Sequence, residues 1–160
     1  MDRLWAPWRI AYVNKRVKRK CIFCIEAKKI NLRKNYIVET GRYSFVILNI
    51  FPYNNGHLMI VPYRHLPDVS ILRTEEWNEM LKFIKIYKSY LSKILNPDGY
   101  NLGINIGRAA GAGFANHVHL HIVPRWIGDS NFMPAITKTK IISQSLDELY
   151  KQLKKWQKKK

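Results

Sequence analysis

Acidic residues are scarce in this chain. Eleven Asp and Glu stand against 28 Lys and Arg in 160 residues, leaving a net charge of +17. A field of that sign gathers polyanions such as nucleotides, nucleic acid or anionic lipid surfaces, and makes cationic substrates poor candidates. Long apolar runs are missing too. None approaches the ~18 residues of a membrane span, and Asp2 and Pro7 interrupt the opening stretch where a secretory signal would be continuously apolar. Cysteine is limited to Cys21 and Cys24, too few for a secreted disulfide scaffold. Their two-residue spacing is that of a metal knuckle or a redox pair, so a reducing compartment, the cytoplasm, is expected.

What is present suffices for a packed core. Apolar residues make up 47 % of the chain and aromatics 12 %, which excludes disordered and low-complexity classes. The length suits one domain burying roughly two-thirds of its unfolded surface. We expect a single domain over 1–160, with an N-terminal segment at 1–35, a core at 36–130, and a tail with a basic helix at 131–160. Basic residues concentrate at the two ends, from Lys15 to Lys20 and from Lys151 to Lys160.

The runs from Tyr43 to Ile50 and from His57 to Val61 are rich in strand formers, and the Pro/Asn/Gly cluster from Phe51 to Gly56 predicts a hairpin connection between them. Thr74, followed by Glu75 and Glu76, reads as a helix N-cap. Trp77, Met80, Leu81, Ile84, Tyr87, Leu91, Ile94 and Leu95 then recur at helical spacing, and Asn96 to Gly99 stops the helix. Tyr100 to Gly107 and Val118 to Pro124 predict two more strands across a glycine-rich loop, Ile141 and Ile142 a short fifth, and Leu146 to Trp156 a final helix. This order is that of an α+β domain with helices packed on an antiparallel sheet.

The most informative stretch runs from Asn116 to Trp126. Strand side chains alternate faces, and here chemistry alternates in step: His117, His119 and His121 on one face, Val118, Leu120 and Ile122 on the other. The outer histidines of such a row lie ~13 Å apart, too far to share one metal ion. A neutral imidazole is, however, a nucleophile near pH 7, and its attack on phosphorus splits phosphoanhydride cleavage into two easier steps. His119, flanked on both sides, is the natural nucleophile. The same row also admits a metalloenzyme that uses the histidines directly.

These residues carry a resemblance. His117 to Trp126, preceded by Ala110 to Gly113 and followed by Gly128 to Phe132, resembles the signature of the histidine triad (HIT) superfamily of nucleotide hydrolases and transferases. The likeness extends to Leu48 and Asn49, to Asn55 through Pro62, and to Leu4 through Arg9, which resembles the start of bacterial diadenosine tetraphosphate phosphorylase-like members. It implies a dimeric fold with a five-stranded antiparallel half-barrel sheet, a long helix and a C-terminal helix. It further implies a nucleotidyl intermediate on His119, phosphate contacts from His121, and an orienting or metal-binding role for His117. Asn49 is then expected at the ribose, with Phe45, Ile47 and Ile50 around the base. Asn105, Gly111, Ala112 and Gly113 are expected at the α-phosphate, and Trp126 among the nucleotide contacts. Gly113 and Phe114 stand where many relatives carry Gln and then Ser or Thr. The segment after Trp126 favours a phosphorylase-like branch.

Two thiolates alone do not close a zinc site. His65 and His117 resemble the pair that completes a Cys₂His₂ zinc site in some superfamily members, so structural zinc on Cys21, Cys24, His65 and His117 is an expected cofactor. Without the resemblance, Cys21 and Cys24 read equally as buried apolar cysteines or a redox pair. His57, between apolar neighbours, reads as a satisfied core histidine. The C-terminal helix carries Leu146, Leu149, Leu153 and Trp156 on one stripe and lysines opposite. That stripe docks on the domain or a dimer mate in preference to a membrane, and no motif marks specific nucleic-acid recognition. The expected partners are a nucleotide or dinucleoside polyphosphate and a second copy of the chain. The candidate activities are cleavage of dinucleoside polyphosphates by water or phosphate, hydrolysis of nucleoside phosphoramidates, and nucleotide binding without turnover.

Overall fold

In a computed structural model, the chain is described over residues 21–24, 35–129 and 142–158. Five strands form one antiparallel sheet: β1 (Ile37–Thr40), β2 (Ser44–Leu48), β3 (Leu58–Pro62), β4 (Gly99–Ile104) and β5 (Leu120–Arg125), in the spatial order β1-β2-β3-β5-β4. A long helix, α1 (Thr74–Leu95), and a C-terminal helix, α2 (Leu146–Gln157), accompany it. The expected five-stranded antiparallel sheet with a long and a C-terminal helix is therefore the fold observed.

The fifth strand differs from expectation. It is β1, a four-residue run entered through Tyr36 at φ 54°, too short and too abruptly started to show a period. Ile142 is in no strand, and Ile141 lies outside the described residues. The opening stretch from Leu4 to Arg9, the basic residues 15–20 and the segment from Ser130 to Phe132 also lie outside them.

The sheet sorts its side chains by register. Leu58 pairs with Ile122 and Ile60 with Leu120, and these four join Val46, Leu48, Met80, Tyr87 and Leu91 in the main core beneath α1. The intervening residues point the other way, where Phe45, Ile47, Met59 and Val61 form a second apolar cluster with Phe23. One face of the sheet is thus filled by helices, and the other carries the site.

Both ends of α1 are fixed by local chemistry. Arg73, not Thr74, holds the N-cap position, because the Glu76 carboxylate accepts its backbone N–H at 2.7 Å. Glu76 is buried and also takes Nε and one terminal nitrogen of Arg64 at 2.6 Å each. At the other end Asn96 adopts the left-handed conformation at φ 46°. Phe83 and Tyr90 are buried along the inward stripe, whereas Leu81 is 44 % exposed. The contact face is therefore rotated slightly from the one expected. Glu79 anchors the helix to the β1–β2 turn, its carboxylate accepting N–H groups of Arg42, Tyr43 and Ser44 and the Ser44 hydroxyl at 2.7–2.9 Å.

The β2–β3 connection turns at Gly56, φ 79°, where an added methyl would stand 2.6 Å from Leu95 and 2.8 Å from Pro124. Glycine is required there by conformation and by space. Helix α2 begins at Ser145, whose hydroxyl accepts the Glu148 N–H at 3.3 Å. Leu149 and Leu153 are buried against the core, and Lys154 and Gln157 both donate to the Val38 carbonyl on β1. The apolar stripe of α2 docks on its own domain.

Candidate active site and metal centre

The three histidines do not form one equivalent row. The β5 ladder starts only at Leu120, so His117 precedes it and its side chain serves a different cluster. His119 and His121 stay together, their rings 4.8 Å apart. All three are buried.

The nucleophile candidate is oriented by its own backbone. His119 Nδ1 lies 2.8 Å from the His117 carbonyl, which can only accept, so Nδ1 carries the proton and Nε2 keeps a lone pair. Burial lowers the pKa of His119 against the opposing pull of that carbonyl bond, keeping the ring neutral at pH 7. A neutral, fixed imidazole with its lone pair on the distal nitrogen is the state a phosphorus nucleophile needs.

A second chain of bonds fixes His121. The Tyr53 N–H donates to His57 Nδ1 at 3.0 Å, so the His57 proton sits on Nε2 and is donated to His121 Nδ1 at 2.9 Å. The remaining proton of His121 is therefore on Nε2. Burial, followed by the neighbouring His121 and His119, pushes His57 down to about 3, so His57 is uncharged at pH 7. His57 is a satisfied buried histidine, as expected, but its partner is a triad residue. Its neighbours Leu58 and Ile60 point to the opposite face. The alternation of His57 with Met59 and Val61, which lie in the second cluster, is the sequence signal that would place it on the site face.

His121 opens onto a cleft of about 310 Å³ lined also by Tyr53, Asn54, Asn101, Gly103, Asn105 and Arg125. This brings Asn105 to the triad. His119 does not line that cleft. Its ring lies beneath Phe23, with centroids 5.0 Å apart, and Phe23 joins Phe45 and Ile47 in the second apolar cluster. Ile50 is 52 % exposed outside that cluster. Asn49 adjoins the relay: its Nδ2 lies 3.4 Å from His57 Nδ1 and its Oδ1 accepts the Phe51 N–H at 2.9 Å. In the glycine-rich loop, Gly111 N–H donates to the Arg108 carbonyl and Ala112 N–H to that of Gly107, so two of the amides expected at phosphate close the loop's own turns. Gly113 follows in the same loop, before Phe114, which meets Phe23 edge-on at 5.7 Å. Trp126 is not brought to this group. Its indole N–H donates to the Asn96 carbonyl at the end of α1, 3.1 Å away.

The other half of His117 belongs to a metal-ligand set. Ligand atoms of Cys21, Cys24, His65 and His117 all lie within 4.8 Å of one another. His117 Nδ1 is 3.3 Å from Cys21 Sγ, 3.6 Å from Cys24 Sγ and 3.2 Å from His65 Nδ1, and Cys24 Sγ is 3.3 Å from His65 Nδ1. A tetrahedron with zinc bonds of about 2.0–2.1 Å to nitrogen and about 2.3 Å to sulfur has edges of about 3.3–3.6 Å wherever nitrogen takes part. Neither Sγ is in a disulfide. His117 Nε2 donates to the Pro62 carbonyl at 2.9 Å, which leaves Nδ1 bare and aimed at the cluster, as a metal-ligating imidazole requires. Burial holds His117 down to about 4, so it presents a neutral ligand. The donor set fits zinc. Of the triad, only His117 belongs to it, so the geometry gives no support to a metal on His119.

The HIT domain model matches residues 31–126. AP-4-A phosphorylase of Mycobacterium tuberculosis is 35 % identical over 154 residues, covering 91 % of this chain and 79 % of that protein. Bis(5'-adenosyl)-triphosphatase of Dictyostelium discoideum is 33 % identical over 94 residues, covering 59 % and 62 %. Among solved structures, a zinc-bound histidine triad family protein from Mycobacterium smegmatis superposes with a TM-score of 0.67 at 25 % identity, covering 85 % of this chain and 91 % of that one. The chain belongs to the HIT domain family. It is an enzyme of that family, whose members are nucleotide hydrolases and transferases.

Proposed function

We propose that this enzyme cleaves dinucleoside polyphosphates of the diadenosine tetraphosphate type through a nucleotidyl-His119 intermediate. The observation that carries the reading is the His119 tautomer: Nδ1–H held by the His117 carbonyl and the lone pair left on Nε2. In the first step Nε2 attacks the α-phosphorus. The bond from that phosphorus to its bridging oxygen breaks, and the polyphosphate leaves with the electron pair. His121, its proton on Nε2, supplies a hydrogen bond to the phosphoryl oxygens as charge develops there. Asn105 and the Gly113 N–H complete the phosphate contacts, Asn49 takes the ribose, and Phe45 and Ile47 flank the base. In the second step water or inorganic phosphate displaces the imidazole and restores the free enzyme.

When zinc is bound by Cys21, Cys24, His65 and His117, it supplies a tetrahedral cross-link joining the N-terminal segment to the approaches of β3 and β5. The reaction itself runs on the imidazoles. Among the described residues no helix is long and apolar enough to cross a membrane.

Incubation with diadenosine tetraphosphate, with and without phosphate, followed by product identification, tests the reading. Attack at the α-phosphorus yields ATP in the first step, so AMP plus ATP reports water as acceptor and ADP plus ATP reports phosphate. The resemblance of the segment after Trp126 favours ADP plus ATP when phosphate is present. Two molecules of ADP, or no product, would contradict it.

We also infer a homodimer. Among the described residues strand β4 is paired on one side only, with β5, and Leu102 on it is 46 % exposed, a combination that suits pairing with a second copy. Sedimentation equilibrium should report twice 18.9 kDa; a monomer at micromolar concentration would contradict the inference.

A further inference from the structure

The metal cluster and the nucleophile share parts. His117 contributes its Nδ1 to the cluster and its backbone carbonyl to His119 Nδ1. Phe23 lies inside the Cys21–Cys24 turn, so two ligands hold its backbone from both sides. It is 2 % exposed. Its ring packs on His119 at 5.0 Å and on His117 at 5.4 Å, and meets Phe114 of the glycine-rich loop at 5.7 Å. Among the described residues, Ile22, Phe23 and Cys24 have helical backbone, which places Phe23 between the two cysteines.

His65 brings a third connection. It follows Arg64, which is locked to buried Glu76 through two 2.6 Å bonds, so the cluster rests on the α1 N-terminus on one side and on the Cys21–Cys24 turn on the other. The rigid half positions His65 and His117. The other half bears Phe23, whose ring packs with Phe45, Ile47, Met59 and Val61 and whose backbone lies between the two cysteines.

We propose that the Cys21, Cys24, His65 and His117 centre is a positioning device for the nucleotide cleft, coupling metal occupancy to nucleotide affinity through Phe23 and the His117 carbonyl. With zinc in place the turn is fixed, Phe23 forms a set wall over His119, and the His117 backbone holds the nucleophile's tautomer. Without it the wall must be ordered each time a nucleotide binds, and binding is weakened by that ordering. Coupling between two ligands is reciprocal, so nucleotide must tighten zinc by the same factor that zinc tightens nucleotide. Phe23 and His117 are positioning residues here, acting through His119 and the cleft. The inference rests on the nucleotide reading above.

The test uses the zinc-loaded protein and AMP as probe. Zinc affinity is measured by competition with a chelator of known affinity, with and without saturating AMP. AMP affinity is measured calorimetrically on zinc-loaded and chelator-treated protein, with far-ultraviolet circular dichroism on both. The expected result is a shift of at least about fivefold in each affinity, equal within error. Phe23→Ala, still binding one zinc per chain, should weaken AMP in the zinc-loaded state and reduce the effect of AMP on zinc retention towards onefold. That variant separates the device from global folding: if metal removal simply unfolds the chain, AMP tightens zinc equally in wild type and Phe23→Ala, and the proposal fails. AMP affinities equal in the two metal states of a folded wild-type protein overturn the linkage and leave the nucleotide reading standing. Absence of AMP binding to either form overturns both.

Discussion

Replacing His119 by alanine should remove turnover of diadenosine tetraphosphate by at least about three orders of magnitude, because the group that forms the covalent bond has no substitute nearby. His121 cannot take its place: its Nδ1 accepts the His57 proton at 2.9 Å, so its own proton sits on Nε2, the wrong tautomer for attack. His117 cannot either, since Nε2 donates to the Pro62 carbonyl and Nδ1 faces Cys21, Cys24 and His65. The three imidazoles are held in three different roles. Nucleotide affinity should change only a few-fold in the variant, because the lost group acts on the transition state more than on the bound substrate. Thermal unfolding should stay cooperative, a cavity in a polar site relaxing more readily than one in the helix-side core. Steady-state kinetics and calorimetry on the same preparation check both halves. Retained turnover would rule out His119 as nucleophile.

The second large effect concerns stability. Cys21→Ala should abolish stoichiometric zinc and lower the melting temperature by about 10 °C or more, since a closed structural zinc site contributes its binding free energy to folding. A chelator should bring the wild-type protein to the same melting temperature and leave the variant unmoved. Metal analysis beside differential scanning calorimetry reads both quantities. Unchanged zinc content in the variant would remove Cys21 from the ligand set. An equal chelator effect on both proteins would show that the stabilising metal sits elsewhere. Because His65 is tied through Arg64 to Glu76 on α1, the loss should reach beyond the knuckle, and the fall should appear in the global transition.

How far the sequence foretold this arrangement depends on how local each signal is. The β2–β3 hairpin, α1, β4, β5 and α2 each carry their own period, cap or turn residues, and all lie within a few residues of where they were expected. β1 has four residues and begins at a left-handed Tyr36. What makes it a strand is pairing with β2, a tertiary fact. The same holds for the bounds of β5. Val118 continues the alternation, yet its N–H donates to the Leu66 carbonyl at 2.6 Å and not to the β3 ladder, and this detaches His117 from the row. Alternation alone could not show that break.

The site divides in the same way. His119 and His121 were legible because alternation is local, and the resemblance supplied the Cys21, Cys24, His65 and His117 set whose ligand atoms the fold draws together over as many as 96 residues of separation. Phe23 carries no sequence signal, because its place comes from lying between two candidate metal ligands and over a histidine remote in sequence. Leu58 and Ile60 make His57 read as a core residue, yet in a strand they are the residues least able to report its surroundings. Trp126 followed the motif in sequence, but beyond β5 the chain turns, and its indole caps α1 instead.

The account depends most on the covalent step at one nitrogen. The protein should be mixed with diadenosine tetraphosphate, quenched in base within the first turnover, since a phosphoramidate survives alkali and is lost in acid, and digested for mass spectrometry. The account predicts an adenylyl group on the peptide containing His119, mapped to that residue and absent from His119→Ala. Product formation with no such adduct on any rapid-quench timescale, or an adduct mapped to His117, His121 or another side chain, would contradict it.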